Sequence, residues 1–111
     1  MAIFLMLCRG GNVSDQERNA HMQKWGAWMG GLAQAGSLAG GAPLKGAGKV
    51  ISGGGVRASA SGDDSVTGYI MVNAQGMDDA VKIAKSCPLL EIGGNLEIRE
   101  SIDMSGGPPR G

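Results

Sequence analysis

Residues 3–8, Ile-Phe-Leu-Met-Leu-Cys, are followed by Gly10-Gly11, and this stretch decides where the fold begins. A short continuous apolar run stopped by glycines is typical of a strand that is covered on both faces. We therefore predict that this strand lies in the interior of a sheet and not at its edge. Directly after the turn, Ser14 and Glu17 have the spacing of a capping box, which predicts that a helix begins at Ser14.

The predicted first helix carries one apolar stripe. Its members recur at three- and four-residue intervals: Met22, Trp25, Trp28, Met29 and Leu32. Gly36 is suited to a left-handed C-cap, so we expect the helix to end at Ala35. Gly26, Gly30 and Gly31 weaken the helix. Their presence indicates either the close approach of another backbone or relaxed packing beside a cleft.

The remaining sequence completes an α+β pattern. The other predicted elements are a short strand at Val50-Ile51, a hairpin tip at 56–64, a strand at 66–72, a helix at 78–86 and a strand at 95–102. The glycine-rich segment 40–44 is interpreted as a turn. This order predicts a ferredoxin-like fold of the dimeric α/β-barrel type, an antiparallel sheet with two helices on one face. The domain spans 1–103, and 104–111 form a flexible C-terminal tail.

The strand pattern also predicts apolar side chains on the sheet face that carries no helix. We assign Phe4, Met6, Tyr69 and Met71 to this open face. An exposed apolar patch of this kind usually marks an interface. We therefore expect the protein to form a homodimer through the open sheet face.

Composition excludes several classes of protein. Ten basic and ten acidic residues give zero net charge, without the basic stripe of a nucleic-acid-binding protein. The longest apolar run is too short to span a membrane and lacks the flanks of a signal peptide. We therefore expect a cytoplasmic protein. Two cysteines and one histidine predict neither a disulfide scaffold nor a metal site, and no motif indicates a cofactor.

Two strings of residues, 22–44 and 80–99, stand in a characteristic order. They contain Trp25-Gly26-Ala27-Trp28-Met29, Gly40-Gly41-Ala42-Pro43-Leu44, Ala84-Lys85-Ser86-Cys87-Pro88 and Ile92-Gly93-Gly94-Asn95-Leu96-Glu97-Ile98-Arg99. Together they resemble the YCII-related family in its DGPF-domain branch. The resemblance covers roughly residues 1–103 and implies a dimeric α+β fold like that of muconolactone isomerases.

The same resemblance bears on catalysis. Some members of that family look like enzymes built around a histidine on the first helix and an aspartate that precedes a proline after the second helix. One such member is a dehydrochlorinase. In this sequence the corresponding places hold Trp25 and Cys87. The resemblance therefore does not carry this acid/base pair over to the chain.

His21, the single histidine, is the candidate catalytic residue. Its position on the helix lies between those of Trp28 and Leu32, on the inward stripe. Imidazole exchanges protons near neutral pH, so His21 could act as a general base if a carboxylate oriented it. The alternative is a hydrogen-bonded residue at the border of the core.

Five further residues form the candidate ligand-binding set. Arg9 and Arg18 could neutralise an anionic ligand at the mouth of a cleft, or they could be solvated surface charges. Trp25 and Trp28 could line a cleft for a planar apolar ligand, or they could belong to the core. Cys87 could border the ligand, but the end of a helix disfavours its thiolate, so it could equally be a buried, unreactive residue.

These features favour a small homodimer that binds a small organic molecule between the first helix and the sheet. One alternative is an isomerase, lyase or dehalogenase-like enzyme that uses His21. Another, implied by the likeness to DGPF-type proteins, is a non-catalytic accessory or regulatory protein associated with a sigma-factor system. A carboxylate bonded to His21 in an open cleft would favour the enzyme. A ring packed between tryptophans with only a backbone partner would disfavour it.

Overall fold

A computed structural model of the chain describes residues 1–103, apart from the side chain of residue 63. The strands and helices are β1 Ala2–Arg9, α1 Arg18–Gln34, β2 Leu38–Pro43, β3 Lys49–Ser52, β4 Gly55–Ala58, β5 Val66–Ala74, α2 Met77–Lys85 and β6 Asn95–Glu100. Short 3-10 helices lie at Gly62–Asp64 and Pro88–Ile92. The predicted C-terminal tail, 104–111, lies outside the described residues.

Four strands form one sheet in the order β2-β5-β1-β6, and each neighbouring pair is antiparallel. Side chains from α1 and α2 pack against the same core cluster, so both helices lie on one face. This arrangement confirms the predicted ferredoxin-like fold, with β1 in the interior of the sheet. Neither helix, nor any other in the described chain, is long and apolar enough to cross a membrane.

The assignment of Phe4 and Met6 to the open face was wrong. Both side chains are 0% exposed and lie in the core beneath the helices. In the antiparallel ladder Phe4 stands opposite Val72 and Met6 opposite Ile70, and opposite residues point to the same side. The open face instead carries Leu5 and Leu7 beside the predicted Met71 and Tyr69. Because one strand alternates strictly, Leu5 and Phe4 cannot share a face.

Both ends of α1 are formed by local hydrogen bonds. The amide of Glu17 donates to the Ser14 hydroxyl at 3.3 Å, but residues 14–17 form a turn and the helix begins only at Arg18. At the other end Gly36 has φ +74°. Its amide donates to Ala33 O and that of Ser37 to Leu32 O, which together form a Schellman motif. The predicted left-handed cap at Gly36 is thus confirmed, and the predicted start was four residues early.

The segment between α1 and β5 differs most from the prediction. The edge strand β2 spans residues 38–43, so most of the segment 40–44, interpreted as a turn, is a strand. Residues 56–58 belong to β4 and pair with β3, so the tip of this hairpin is Gly53-Gly54 instead of 56–64. Backbone pairing with a neighbour, which leaves no trace in hydrophobic alternation, decides both differences.

The later elements follow the prediction closely. Helix α2 spans 77–85 against the predicted 78–86, and β6 spans 95–100 against 95–102. The 3-10 helix that starts at Pro88 was not predicted. It covers the end of the core with Leu89, which is 3% exposed.

The glycines inside α1 lower its stability without serving a close contact within the chain. A Cβ atom built at Gly30 or Gly31 meets no other atom within 4 Å. We expect Gly30→Ala to raise the free energy of unfolding by about 0.5–1 kcal/mol, because alanine loses less backbone entropy in a helix. Urea denaturation followed by circular dichroism measures the change. A loss of stability would mean that position 30 is closely packed in solution.

Candidate functional site

A cavity of about 480 Å³ lies between α1 and the sheet, at the end of the sheet where β1 finishes. One stripe of α1 forms its roof: His21, Met22, Trp25, Gly26 and Met29. Segments 41–43 of β2 and 67–70 of β5 form its floor, and Leu89 and Ile92 close one side. Met22 is 58% exposed, so it lies where the cavity opens to solvent.

Missing side chains on the floor create this space. Gly68 stands opposite Cys8 and Pro43, and Gly41 stands opposite Ile70, all on the sheet face that carries the helices. A Cβ atom at Gly41 would lie 2.7 Å from Tyr69 O, and one at Gly68 would lie 3.1 Å from Ala42 O. The close approach of β2 to β5 therefore excludes a side chain at Gly41 and disfavours one at Gly68. The same requirement leaves the floor of the cavity without side chains.

His21 is the most buried residue of α1, with 9% of its surface exposed. The indole Nε1–H of Trp25 donates a hydrogen bond to His21 Nε2 at 2.8 Å, and the two rings meet edge to face. An indole nitrogen only donates, so Nε2 must be the unprotonated acceptor and the proton of the neutral ring lies on Nδ1. The partner of His21 is thus neither a carboxylate nor the backbone.

The other ring nitrogen of His21, Nδ1, is not engaged by the protein. Among residues 1–103 no hydrogen-bond partner is found for Nδ1, and no buried polar side-chain atom in this part of the chain lacks a partner. Nδ1 is therefore at least partly exposed, and its N–H group is free to donate. His21 itself forms part of the cavity wall.

A second aromatic contact lies within α1, and a hydrogen bond joins this helix to the end of α2. The rings of Trp25 and Trp28 meet edge to face with centroids 5.6 Å apart. Trp28 Nε1 donates to Ser86 Oγ at 2.9 Å, and the Ser86 hydroxyl donates to Ile83 O. Trp28 is therefore not part of the cavity wall but fixes the helix that carries Trp25. This contact holds the roof of the cavity in place.

The two predicted arginines lie away from the cavity wall. Arg9 forms an ion pair with Glu97 at 2.7 Å, and together with Arg99 it holds the pKa of Glu97 below its usual range. Arg18 forms an ion pair with Asp15, also at 2.7 Å. Both guanidinium groups thus already have carboxylate partners at the surface.

The two cysteines are free thiols buried in the core, with Cys8 4% and Cys87 2% exposed. Burial, together with a smaller contribution from the nearby Cys87, raises the pKa of Cys8 to about 12. Burial also raises the pKa of Cys87, although a hydrogen bond from the Leu89 backbone opposes this shift. Cys8 borders the cavity and Cys87 does not. Neither thiol is a ready nucleophile near neutral pH.

The structure thus brings two of the predicted residues, His21 and Trp25, together at the cavity. Arg9, Arg18, Trp28 and Cys87 lie outside its wall. The sequence analysis did not include Cys8, Met22, Gly26, Met29, Gly41, Gly68, Leu89 or Ile92 among the candidate residues. The i, i+4, i+8 spacing of 21, 25 and 29 could have identified the roof. The floor depends on strand pairing, which gives no comparable local signal.

Comparisons with known proteins agree with this architecture. The sequence pattern of the YCII-related domain matches residues 2–105. Among solved structures, 5-chloro-2-hydroxyhydroquinone dehydrochlorinase from Burkholderia phenoliruptrix AC1100, in complex with 2,5-dihydroxybenzoquinone, superposes with a TM-score of 0.61. The two chains are 16% identical, and the match covers 96% of this chain and 99% of that one. At this identity the likeness shows the fold alone. Among curated proteins, none matches the sequence significantly.

The raised pKa of Cys8 predicts a loss of stability in alkali. A thiol whose pKa is 9.0 when exposed and about 12 when folded stabilises the native state fully below pH 9, and this contribution is lost as the pH rises towards 12. We expect the free energy of unfolding, measured in urea from about pH 8 to about pH 11, to fall less steeply in Cys8→Ala than in the unaltered protein.

The other alkaline groups are common to both proteins, so the difference between the two slopes isolates Cys8. Identical slopes would contradict the burial of its thiol.

Proposed function

The chain belongs to the YCII-related family, and from that premise we propose that it binds one small organic molecule in the cavity between α1 and the sheet. The volume of about 480 Å³ lies within the range typical of small-molecule sites. Such sites combine apolar walls with a few oriented polar groups. The observation that carries the proposal is the free Nδ1–H of His21 in an otherwise largely apolar wall.

The proposed role of His21 is that of a hydrogen-bond donor. Its Nε2 atom already accepts from Trp25, so Nδ1 carries the proton and cannot at the same time accept one from a ligand. To act as a base, the ring would have to change tautomer and give up the bond to Trp25. Binding without turnover, as in an accessory or regulatory protein, is therefore our first proposal. Acid/base catalysis by His21 in an isomerase, lyase or dehalogenase-like enzyme is the alternative.

The class of ligand that we propose to test first is a six-membered ring with carbonyl groups. Trp25 offers a ring surface for stacking, and His21 offers an N–H group that can donate a hydrogen bond to a carbonyl oxygen. The solved dehydrochlorinase of similar fold holds 2,5-dihydroxybenzoquinone. That complex supports the choice of quinones as probes for this chain.

We expect isothermal titration calorimetry to detect binding of 2,5-dihydroxy-3,6-dimethyl-1,4-benzoquinone, tetramethyl-1,4-benzoquinone or both. Gly26→Phe should weaken the binding of the quinone at least about tenfold, ~1.4 kcal/mol, because Gly26 lies in the cavity wall and the added ring would occupy part of the cavity. A Cβ atom at Gly26 meets nothing within 4 Å, so the variant should fold.

The matched control is Gly30→Phe, which also replaces an unobstructed helical glycine but lies outside the cavity wall. It should leave the affinity unchanged. His21→Ala should weaken binding because the hydrogen-bond donor is lost. If the unaltered protein gives the continuing heat of a reaction and only His21→Ala abolishes it, the enzyme alternative is favoured. Absence of heat with both quinones would contradict the proposed function.

We further propose a cytoplasmic homodimer that forms through the open sheet face, and we retain the DGPF-domain branch as a prediction. No described element covers this face, so its apolar side chains are only half-buried: Leu5, Leu7, Tyr69 and Met71. Ile3, at the same face, is 41% exposed. A continuous apolar patch of this kind supports association with a second copy.

We expect Met71→Glu to raise the dimer dissociation constant at least about a hundredfold, ~2.8 kcal/mol, because it would bury a carboxylate between two sheets with only Leu5 and Gly40 directly opposite it. Light scattering with size-exclusion chromatography measures the mass across micromolar concentrations. Leu90→Glu is the matched control, since Leu90 is 44% exposed on the opposite side of the fold. A monomeric mass of the unaltered protein throughout this range would contradict the dimer.

A further inference from the structure

Among residues 1–103, no charged side chain contributes to the wall of the cavity. The three basic residues in and next to α1 that could have supplied a charge are each paired with a carboxylate elsewhere. Arg9 pairs with Glu97 at 2.7 Å, Arg18 with Asp15 at 2.7 Å, and Lys24 with Glu91 at 3.5 Å. The described part of the chain thus provides no positive charge in the wall to compensate a bound anion.

His21 does not change this balance. A proton on Nε2 would place two N–H groups face to face at the 2.8 Å contact with Trp25. The edge-to-face contacts of Trp25 with His21 and with Trp28 hold the indole in that orientation. While this hydrogen bond is made, Nε2 carries no proton and the ring supplies one N–H donor, at Nδ1.

A neutral donor in an apolar wall discriminates between charged and uncharged ligands. An ionised group taken out of water without a counter-charge is strongly disfavoured, whereas a carbonyl oxygen needs only one hydrogen bond. A hydroxyl on a quinone ring is the vinylogue of a carboxylic acid and ionises below neutral pH. Substitution by methyl leaves the same ring uncharged.

We infer that the cavity selects an uncharged carbonyl-bearing ring over the ionised form of the same ring, with Nδ1–H of His21 as the donor to the carbonyl oxygen. This inference rests on the proposed function and adds the charge state of the ligand. It sets the chain apart from a site built for a hydroxyquinone anion. Shape alone does not decide between the two ligands, because a methyl group and an oxygen atom are of similar size.

The test compares tetramethyl-1,4-benzoquinone with 2,5-dihydroxy-3,6-dimethyl-1,4-benzoquinone by isothermal titration calorimetry at neutral pH. Both rings are fully substituted, so neither offers an open carbon to a thiol. We expect the uncharged quinone to bind at least about tenfold more tightly. Equal or tighter binding of the anion would overturn the inference while leaving the proposed function intact. Absence of binding by both would overturn the two together.

A charge placed at the mouth of the cavity should reduce this selectivity. Met22→Lys introduces a cation into the wall, and we expect the ratio of the affinity for the anion to that for the uncharged quinone to rise at least about tenfold. Ala33→Lys, on an exposed part of α1 outside the wall, is the control for net charge. An equal gain in both variants would show that overall charge, and not the cavity, governs binding.

Discussion

The pairing of β1 with a strand on either side is the constraint on which the rest of the structure depends. β5 and β6 both hydrogen-bond to it, so its helix-facing row of Phe4, Met6 and Cys8 becomes the centre of the core. Both helices pack against this row. Because α1 packs against this row, β1 determines where α1 lies and how much space remains beneath it. The opposite row, with Leu5 and Leu7, is left on the open face by the same alternation.

The cavity results from uneven filling of the layer between the helices and the sheet. Towards one end of β5, Val72 and Ala74 occupy this layer together with Leu38 of β2. Towards the other end, Gly41 and Gly68 contribute no side chain, so α1 stands above an empty floor. Tight packing of two backbones and space for a ligand are therefore two consequences of the same pair of glycines. A Cβ atom at either position would crowd the backbone of the neighbouring strand, which is why both positions lack a side chain.

Local patterns predicted much of this structure. The 3.6-residue stripe of α1, the left-handed cap at Gly36 and the alternation of β5 each depend on neighbours in the chain, so they could be recognised from the sequence. Strand β2 could not, because its glycines weaken the strand signal and its hydrogen bonds come from β5. The prediction that Phe4 lies on the open face was wrong for a related reason. In a run that is apolar throughout, only the register with Val72 decides which residues point inwards.

For the candidate site the division is similar. The sequence by itself determined that His21 and Trp25 share one face of a helix, because residues four apart on a helix are neighbours. Only the tertiary structure decided that Trp25 donates to His21, that Arg9 is engaged by Glu97, and that the floor beneath them is bare. These features depend on contacts between residues distant in the chain or on side-chain rotamers. The hydrophobic pattern constrains neither, since it records which residues avoid water and not which of them meet.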